Sequence, residues 1–396
     1  MVMYWLGKPM SIRKNRILPW ALCGLVLIVL VVGFLLRVRH DMRDFEVYYE
    51  AGQRLRVAES LYRVEDEHYM FKYLPASAIL YTSLTYFPLA AAKALWYAFI
   101  LLCSGLMIHL SGRLLPAGDQ KPVTIWFVPP LVLIKHLFRE WDLGQINTIV
   151  TMVILLMIGY LALTLDKRRL WHEVAAGILW GVSTALKPYA AIFFPYLILK
   201  NRWRAAGAGI LTLGVALLLP SLYYGWEGNI RVHQEWYATL SQSTPHLLDT
   251  QDNVSFFALF LKWTGSRSLT FPLAAAAIAA LALLVFWAIQ KGRGRSGTTF
   301  LEGAVLLTCI PLVSPLGWDY NLLMSLPLLM ILFYHFGDFP RWGRAVLVIN
   351  LFVVFITFYD LIGPTSYNAF MAGSVTTLNF LLILGFGFWL RLRHFA

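Results

Sequence analysis

Apolar residues run in blocks long enough to cross a bilayer core, about 20 residues each, and these blocks recur from end to end of the chain. The clearest are 17–36, 90–111, 145–165, 204–223, 270–289, 343–360 and 373–391. Their few ionisable residues (Lys93, His109, Arg204, Arg344, Asp360 and Arg391) sit near the block ends. Such runs predict membrane-spanning helices, which satisfy every backbone hydrogen bond internally where no water is available. The pattern changes at 44–55. There Asp44, Tyr48, Ala51 with Gly52, and Leu55 share one helical face, while Glu46, Glu50 and Arg54 share another. This spacing predicts a helix lying at the bilayer surface with its charged face solvated.

Orientation follows from the basic residues, which collect in cytoplasmic loops. Lys8, Arg13, Lys14 and Arg16 place the N-terminus inside. Arg113 with Lys121, Asp166-Lys167-Arg168-Arg169, Lys200-Asn201-Arg202-Trp203-Arg204, and Lys291 with Arg293 and Arg295 mark further inner loops. Arg341 with Arg344, and Arg391, Arg393 and His394 at the C-terminus, complete the set. Both 166–169 and 200–204 are then inside, although only 174–199 lies between them. Pro188 follows Lys187 in the middle of that stretch and disfavours a continuous helix. The stretch therefore reads as two short segments meeting near Lys187 at the outer side, for a total of about 12 membrane segments. The expected fold is all-α and polytopic, a single domain over 1–396 with a first outer loop at 37–89 and a second long one at 224–269. The shorter outer connections are 139–145, 314–320 and 361–372. The basic-then-apolar N-terminus reads as a retained first helix, since Arg37-Val38-Arg39 offers no cleavage site.

Composition agrees with the pattern: 59% of residues are hydrophobic and 14% charged, against roughly 45–50% and 25% in soluble domains. The net charge of +12 lies largely in the short loops, which argues for membrane orientation and against nucleic acid as a partner. Cys23, Cys103 and Cys309 fall within apolar segments and read as small core residues, with no disulfide framework.

Five polar clusters interrupt this pattern, all on the expected outer side. In the first, Asp44 is either an N-cap or a catalytic carboxylate, and Asp41 would cap the helix equally well. The second is Arg139-Glu140-Trp141-Asp142-Leu143-Gly144-Gln145-Ile146-Asn147. Arg139 and Glu140 read as ordinary loop polarity, whereas Gln145 and Asn147 enter an apolar helix and need partners. Lys187 is the third; a lysine inside an apolar run costs about 2.5–3.5 kcal/mol unless it reaches water or an anion. The fourth, Gln251-Asp252-Asn253-Val254-Ser255, includes a chance-prone glycosylation triplet, and the fifth is Ser314-Pro315-Leu316-Gly317-Trp318-Asp319-Tyr320-Asn321. No metal-ligand spacing, phosphate-binding glycine loop or nucleophile elbow occurs, so no metal or cofactor is expected. A lipid-linked glycan transporter is the rival reading, since broken helices and midplane charge suit one; the long outer loops and lack of a visible repeat favour an enzyme.

At these residues the chain resembles the polyprenol-phosphate-sugar-dependent glycosyltransferases of the C-type superfamily, and most closely family 87, the bacterial α-mannosyltransferases of lipid-linked glycans. The matching elements are Asp44-Phe45-x-Val47-Tyr48-Tyr49-x-Ala51-Gly52-x-x-Leu55, Leu61-Tyr62 and Phe71-x-Tyr73-x-Pro75. Gly144-Gln145-x-Asn147, Lys187-Pro188, Asn253-x-Ser255 and Ser314-Pro315-x-x-Trp318 follow in order. The resemblance implies a C-type fold with an extracytoplasmic site, which, with the cytoplasmic termini that the basic clusters give, places the chain in the cytoplasmic membrane. It implies inverting transfer from a polyprenyl-phosphate sugar to a glycolipid or envelope-glycan acceptor, with membrane lipids as the other partners. It makes Asp44 the general base. Tyr48, Tyr49, Tyr73, Gln145, Asn147, Asn253 and Ser255 become candidate substrate contacts, with Asp319 and Tyr320 beside them. Trp141, Trp236 and Trp318 are candidates to stack on sugars. The family often has a histidine pair after Trp318, where this chain has Asp319-Tyr320-Asn321. Lys187 is the expected cation for the donor phosphate in their place.

Overall fold

The structure is a computed structural model that describes residues 28–116, 122–166, 170–291 and 297–393. The first part of the block 17–36, the N-terminal basic cluster, Cys23, Lys121, the basic residues 167–169, Arg293, Arg295 and His394 lie outside the described residues. The described chain is helical throughout, and its sole β pairing is one isolated bridge, Asn253 to Trp318. In chain order the main helices are α1 (Arg43–Arg56), α2 (Leu89–Leu114), α3 (Thr124–Val132), α4 (Ile134–Leu143), α5 (Asn147–Asp166), α6 (Leu170–Leu186), α7 (Phe193–Leu199) and α8 (Trp203–Leu218). They continue with α9 (Ser221–Leu247), α10 (Phe256–Thr264), α11 (Arg267–Lys291), α12 (Thr299–Val313), α13 (Leu326–Tyr334), α14 (Arg341–Ile356), α15 (Tyr359–Ala372) and α16 (Val375–Arg393).

By length and apolarity α2, α11 and α16 each suffice to cross a bilayer. Three bent pairs raise that number to six if each is one span: α4 with α5 at 116°, α8 with α9 at 91°, and α14 with α15 at 105°. The sequence count of about twelve scored each apolar run, and each half of 174–199, as a segment; the folded chain bends several runs at Gly144–Ile146, Leu219–Pro220 and Thr357–Phe358. Exposed apolar side chains such as Leu211, Phe271, Ile349 and Phe352 cover the outer surface of the bundle, as a protein solvated by lipid requires.

Two expected loops are helices. Residues 224–269 form most of α9 and all of α10, and 361–372 fall within α15. The backbone of α9 breaks its helical geometry at Gly225, and the helix presents Leu222, Trp226, Ile230 and Tyr237 outward. It mixes polar and aromatic residues without a long apolar run of its own, so apolar length alone does not mark it as a helix.

The turn at Lys187 is present. Residue 187 is extended (φ −143°, ψ 113°), a 3-10 segment follows at Pro188–Ile192, and α7 leads back. Lys187 Nζ donates to Asn147 Oδ1 at 2.8 Å, which joins the end of α6 to the start of α5. Arg202 Nη1 meets Glu173 Oε1 at 2.8 Å, so the chain has returned to the start of α6 by residue 202. At that same end Glu302 is buried among cations: its carboxylate takes Arg391 Nη2 at 2.8 Å, Lys200 Nζ at 2.7 Å and the Tyr196 hydroxyl at 3.0 Å. Lys200, Arg202 and Arg391 thus gather at one end of the bundle, paired with Glu173 and Glu302, and the polar clusters lie at the opposite end.

Candidate active site

The carboxylate of Asp44 is positioned by α1, which begins at Arg43 after Met42 with no side-chain cap. Asp44 is therefore the second helical residue and is not spent on capping; Asp41 does not cap α1 either. Tyr48, Ala51, Gly52 and Leu55 are buried, as the spacing predicted, and Phe45 and Tyr49 are buried beside them. Phe45 stacks on Trp96 of α2 at 5.6 Å between ring centroids, and Lys93 Nζ ties Glu46 Oε1 to α2 at 2.7 Å. These contacts hold α1 flat against the bundle while Asp44 lines a cavity of about 770 Å³, a volume suited to a small-molecule site.

Gln145 connects this carboxylate to the cavity floor. The helix α4 ends at Gly144 in a left-handed conformation (φ +72°), and a Cβ there would lie 2.7 Å from Phe45 Cβ. A side chain at this position would both strain the turn and push α1 away. Gly144 also accepts the Trp96 indole N–H at 2.7 Å. Just past it, Gln145 Nε2 donates to Asp44 Oδ2 at 2.6 Å and lies 3.3 Å from the Tyr320 hydroxyl. Its Oε1 accepts from Tyr48 at 3.0 Å, Lys187 Nζ at 3.0 Å and Tyr73 at 3.4 Å. A carboxylate on one side and an ammonium on the other determine which way the amide faces.

Lys187 is 6% exposed and gives its second hydrogen bond to Asn147 Oδ1, which also accepts from the Tyr189 hydroxyl at 2.8 Å. Asn147 Nδ2 in turn donates to Glu140 Oε2 at 2.7 Å, and Glu140 Oε1 accepts from the Thr148 N–H at 2.8 Å. Glu140 is therefore a buried anchor for the start of α5, not the ordinary loop polarity that its neighbours suggested. Its carboxylate satisfies a helix N-terminus and offsets the Lys187 charge.

Four cations line the cavity: Arg43, Lys72, Arg139 and Lys187. Arg43 pairs with Glu46 at 3.8 Å. Arg139 pairs with Asp252 Oδ2 at 2.5 Å and lies 3.6 Å from Asp319 Oδ1. Burial pushes the Asp44 carboxyl above the usual carboxylate range, opposed by the Gln145 hydrogen bond and by the charges of Lys187, Lys72 and Arg139. Burial likewise lowers the Lys72 ammonium, opposed by Asp44. Among the described residues no three His, Cys, Asp or Glu side chains come together as a metal site.

Of the residues singled out in the sequence, Asp44, Tyr48, Tyr73, Gln145, Lys187, Trp318 and Tyr320 line one cavity. Trp318 and Tyr320 stack at 6.5 Å, and the segment carrying them is held from behind. Asn253 is buried: its Nδ2 donates to Pro315 O at 2.9 Å and its Oδ1 accepts from Gly317 N–H at 3.2 Å. That burial leaves no room for a glycan on the Asn253 triplet. Ser255 caps α10 by accepting from Ala258 N–H at 3.2 Å and donates to Pro315 O at 3.2 Å. Gly317 is obligatory there, because a Cβ would lie 1.8 Å from Pro311 O. Asp319 is buried beside Arg139, behind the cavity wall. Tyr49 donates to Phe87 O at 2.8 Å, Trp141 donates to Ser104 Oγ at 3.0 Å, and Trp236 donates to Lys72 O at 3.2 Å. These three brace the site without lining it. Lys72 and Tyr189 line it although no cluster contained them, and Arg139, read as ordinary loop polarity, and Asn321 of the fifth cluster line it as well. The unspecified middle position of Phe71-x-Tyr73 was the one local signal for Lys72.

Comparison with known proteins follows the same residues. The profile of glycosyltransferase family 87 matches residues 71–315. A polyprenol-phosphate-mannose-dependent alpha-(1-2)-phosphatidylinositol pentamannoside mannosyltransferase of Mycolicibacterium smegmatis is 23% identical over 336 residues, covering 82% of this chain and 78% of the relative. A polyprenol-phosphate-mannose-dependent alpha-(1-2)-phosphatidylinositol mannoside mannosyltransferase of Mycobacterium tuberculosis is 23% identical over 66% of this chain and 61% of its own length. Its namesake from Mycolicibacterium smegmatis is 26% identical over 51% of this chain and 45% of its own length. No solved structure matches the chain.

Proposed function

Since the chain belongs to glycosyltransferase family 87, we propose that it moves a sugar, mannose or a related one, from a polyprenyl-phosphate donor to a lipid-linked or envelope-glycan acceptor. One observation carries this reading: a partly buried carboxylate, Asp44, the one carboxylate among the described residues that line the cavity, shares it with four cations. The acceptor hydroxyl attacks the sugar anomeric carbon from the side opposite the phosphate, which inverts that centre. Asp44 takes the hydroxyl proton as the new bond forms. The electron pair of the breaking carbon–oxygen bond passes to the polyprenyl phosphate, where negative charge grows and a preorganised cation stabilises it. Lys187, fixed by Gln145 and Asn147, supplies positive potential at the cavity floor. Trp318 and Tyr320 offer flat surfaces to a sugar ring. Reconstituted protein given labelled polyprenyl-phosphate sugars and a range of glycolipid acceptors should yield covalent transfer; movement of the lipid across the bilayer without transfer would favour a transporter instead.

The cavity end is assigned to the outer side of the cytoplasmic membrane. What supports this is the basic end opposite it, where Lys200, Arg202 and Arg391 gather, because cytoplasmic ends are the basic ones. A cysteine replacing Asp249, whose side chain is 60% exposed, should label from outside intact cells, and one replacing Trp203, which is 61% exposed, should not. The reverse result would invert the assignment.

A base works only when ionised. With its pKa held above the usual carboxylate range by burial, Asp44 is active above that pKa and protonated below it. The rate should therefore fall as pH drops through a limb lying higher than a free aspartate would give. Replacing Gln145 with leucine removes a hydrogen bond that lowers the Asp44 pKa, so the limb should move to still higher pH. A kcat/KM profile measured for both proteins tests this.

A further inference from the structure

Three of the four cations around the cavity are already committed. Lys187 gives two hydrogen bonds to side-chain amides, Arg139 pairs with Asp252 and Asp319, and Arg43 pairs with Glu46. Lys72 differs. Among the described residues its side chain forms no hydrogen bond or ion pair, although it is partly buried and lines the cavity with Asp44. Its backbone is held at its own carbonyl and at the next one. Trp236 Nε1 of α9 donates to Lys72 O at 3.2 Å, and the Tyr62 hydroxyl donates to Tyr73 O at 2.5 Å. An anchored backbone carrying an ammonium that feels the charge of Asp44 across the cavity but contacts no protein acceptor is arranged for an anion that arrives from outside the protein. A partly buried lysine that makes no hydrogen bond or ion pair is costly, and a bound anion offsets that cost.

We infer that Lys72 is the residue that contacts the phosphate of the lipid donor, while Lys187 serves mainly to hold Gln145 and to set the potential at the cavity floor. The inference rests on the donor class proposed above. In the transfer, the carbon–oxygen bond to phosphate breaks, the acceptor oxygen bonds to the anomeric carbon, and the acceptor proton goes to Asp44. The phosphodiester monoanion leaves as a phosphomonoester carrying one further negative charge. A lysine already in contact meets that added charge without moving protein groups, and the ammonium can follow the oxygen on its flexible stem.

The experiment uses the full chain in lipid nanodiscs, with polyprenyl phosphate and the uncharged polyprenol as probes, alongside donor and acceptor kinetics. Wild type should bind the phosphate more tightly than the alcohol. Lys72→Met should weaken phosphate binding by about tenfold to a hundredfold, the usual worth of a charge-assisted contact. Alcohol binding and acceptor KM should stay the same. Lys72→Arg should restore part of the phosphate preference, which separates loss of charge from loss of folding. Unchanged phosphate binding in Lys72→Met, or an effect confined to acceptor KM, would overturn the role of Lys72 and leave the donor class standing. Equal binding of phosphate and alcohol by wild type would overturn both.

Discussion

Asp44→Asn is expected to lower turnover by about 100- to 10,000-fold, the range contributed by general-base catalysis, while the protein keeps its fold. The asparagine carbonyl accepts the hydrogen bond from Gln145 Nε2 that Asp44 Oδ2 accepts at 2.6 Å, so the network keeps its geometry. No helix cap is lost, because Asp44 does not cap α1. What disappears is a group able to take a proton. Donor binding should not weaken, since the substitution removes a negative charge from a cavity that receives an anionic donor. Turnover and donor affinity measured together, with a melting curve, distinguish this from misfolding. Near-normal turnover in a folded Asp44→Asn protein would remove Asp44 from the role of base.

Lys187→Met is expected to cost about 100- to 1,000-fold in kcat, comparable with removing one preorganised stabilising group from a transition state. The neighbours that lose a donor are not left unpaired: Gln145 Oε1 keeps Tyr48 and Asn147 Oδ1 keeps Tyr189. The fold should therefore survive. Two effects combine in the rate. The positive potential at the cavity floor falls, and Gln145 loses the ammonium that fixes the far side of its amide. Lys187 also lowers the Asp44 pKa, so the acid limb of the pH profile should move upward in Lys187→Met. Lys187→Arg should recover only part of the rate, because a planar guanidinium cannot replace a compact ammonium in a pocket that is 6% exposed. A folded Lys187→Met protein with wild-type kcat and an unmoved limb would return Lys187 to a structural lysine at a helix break.

What the sequence determined by itself was of two kinds. Apolar runs of bilayer length dictate helices wherever they fall, because lipid offers no partner for a free backbone group; α2, α11 and α16 follow from that alone. The turn at Lys187-Pro188 and the inward face of α1 were also legible, the first because proline interrupts a helix, the second from helical spacing. The helix α9 was not, since it has neither a long apolar run nor strict spacing; it lies over the first loop, where Tyr224 donates to Glu59 O at 2.7 Å. The tertiary structure decided which polar residues work together. Asp44, Gln145 and Lys187 are far apart in the chain, and only the turn at Gly144 and the break at residue 187 bring them within hydrogen-bond distance. It also separated lining residues from supporting ones: Asn253 and Ser255 carry a motif yet hold the 314–318 segment from behind. Glu140 and Lys72 could not be ranked from sequence, because a carboxylate or an ammonium gains meaning only from what surrounds it. Burial against a helix N-terminus made Glu140 an anchor, and the absence of a hydrogen bond or ion pair among the described residues left Lys72 open to an anion.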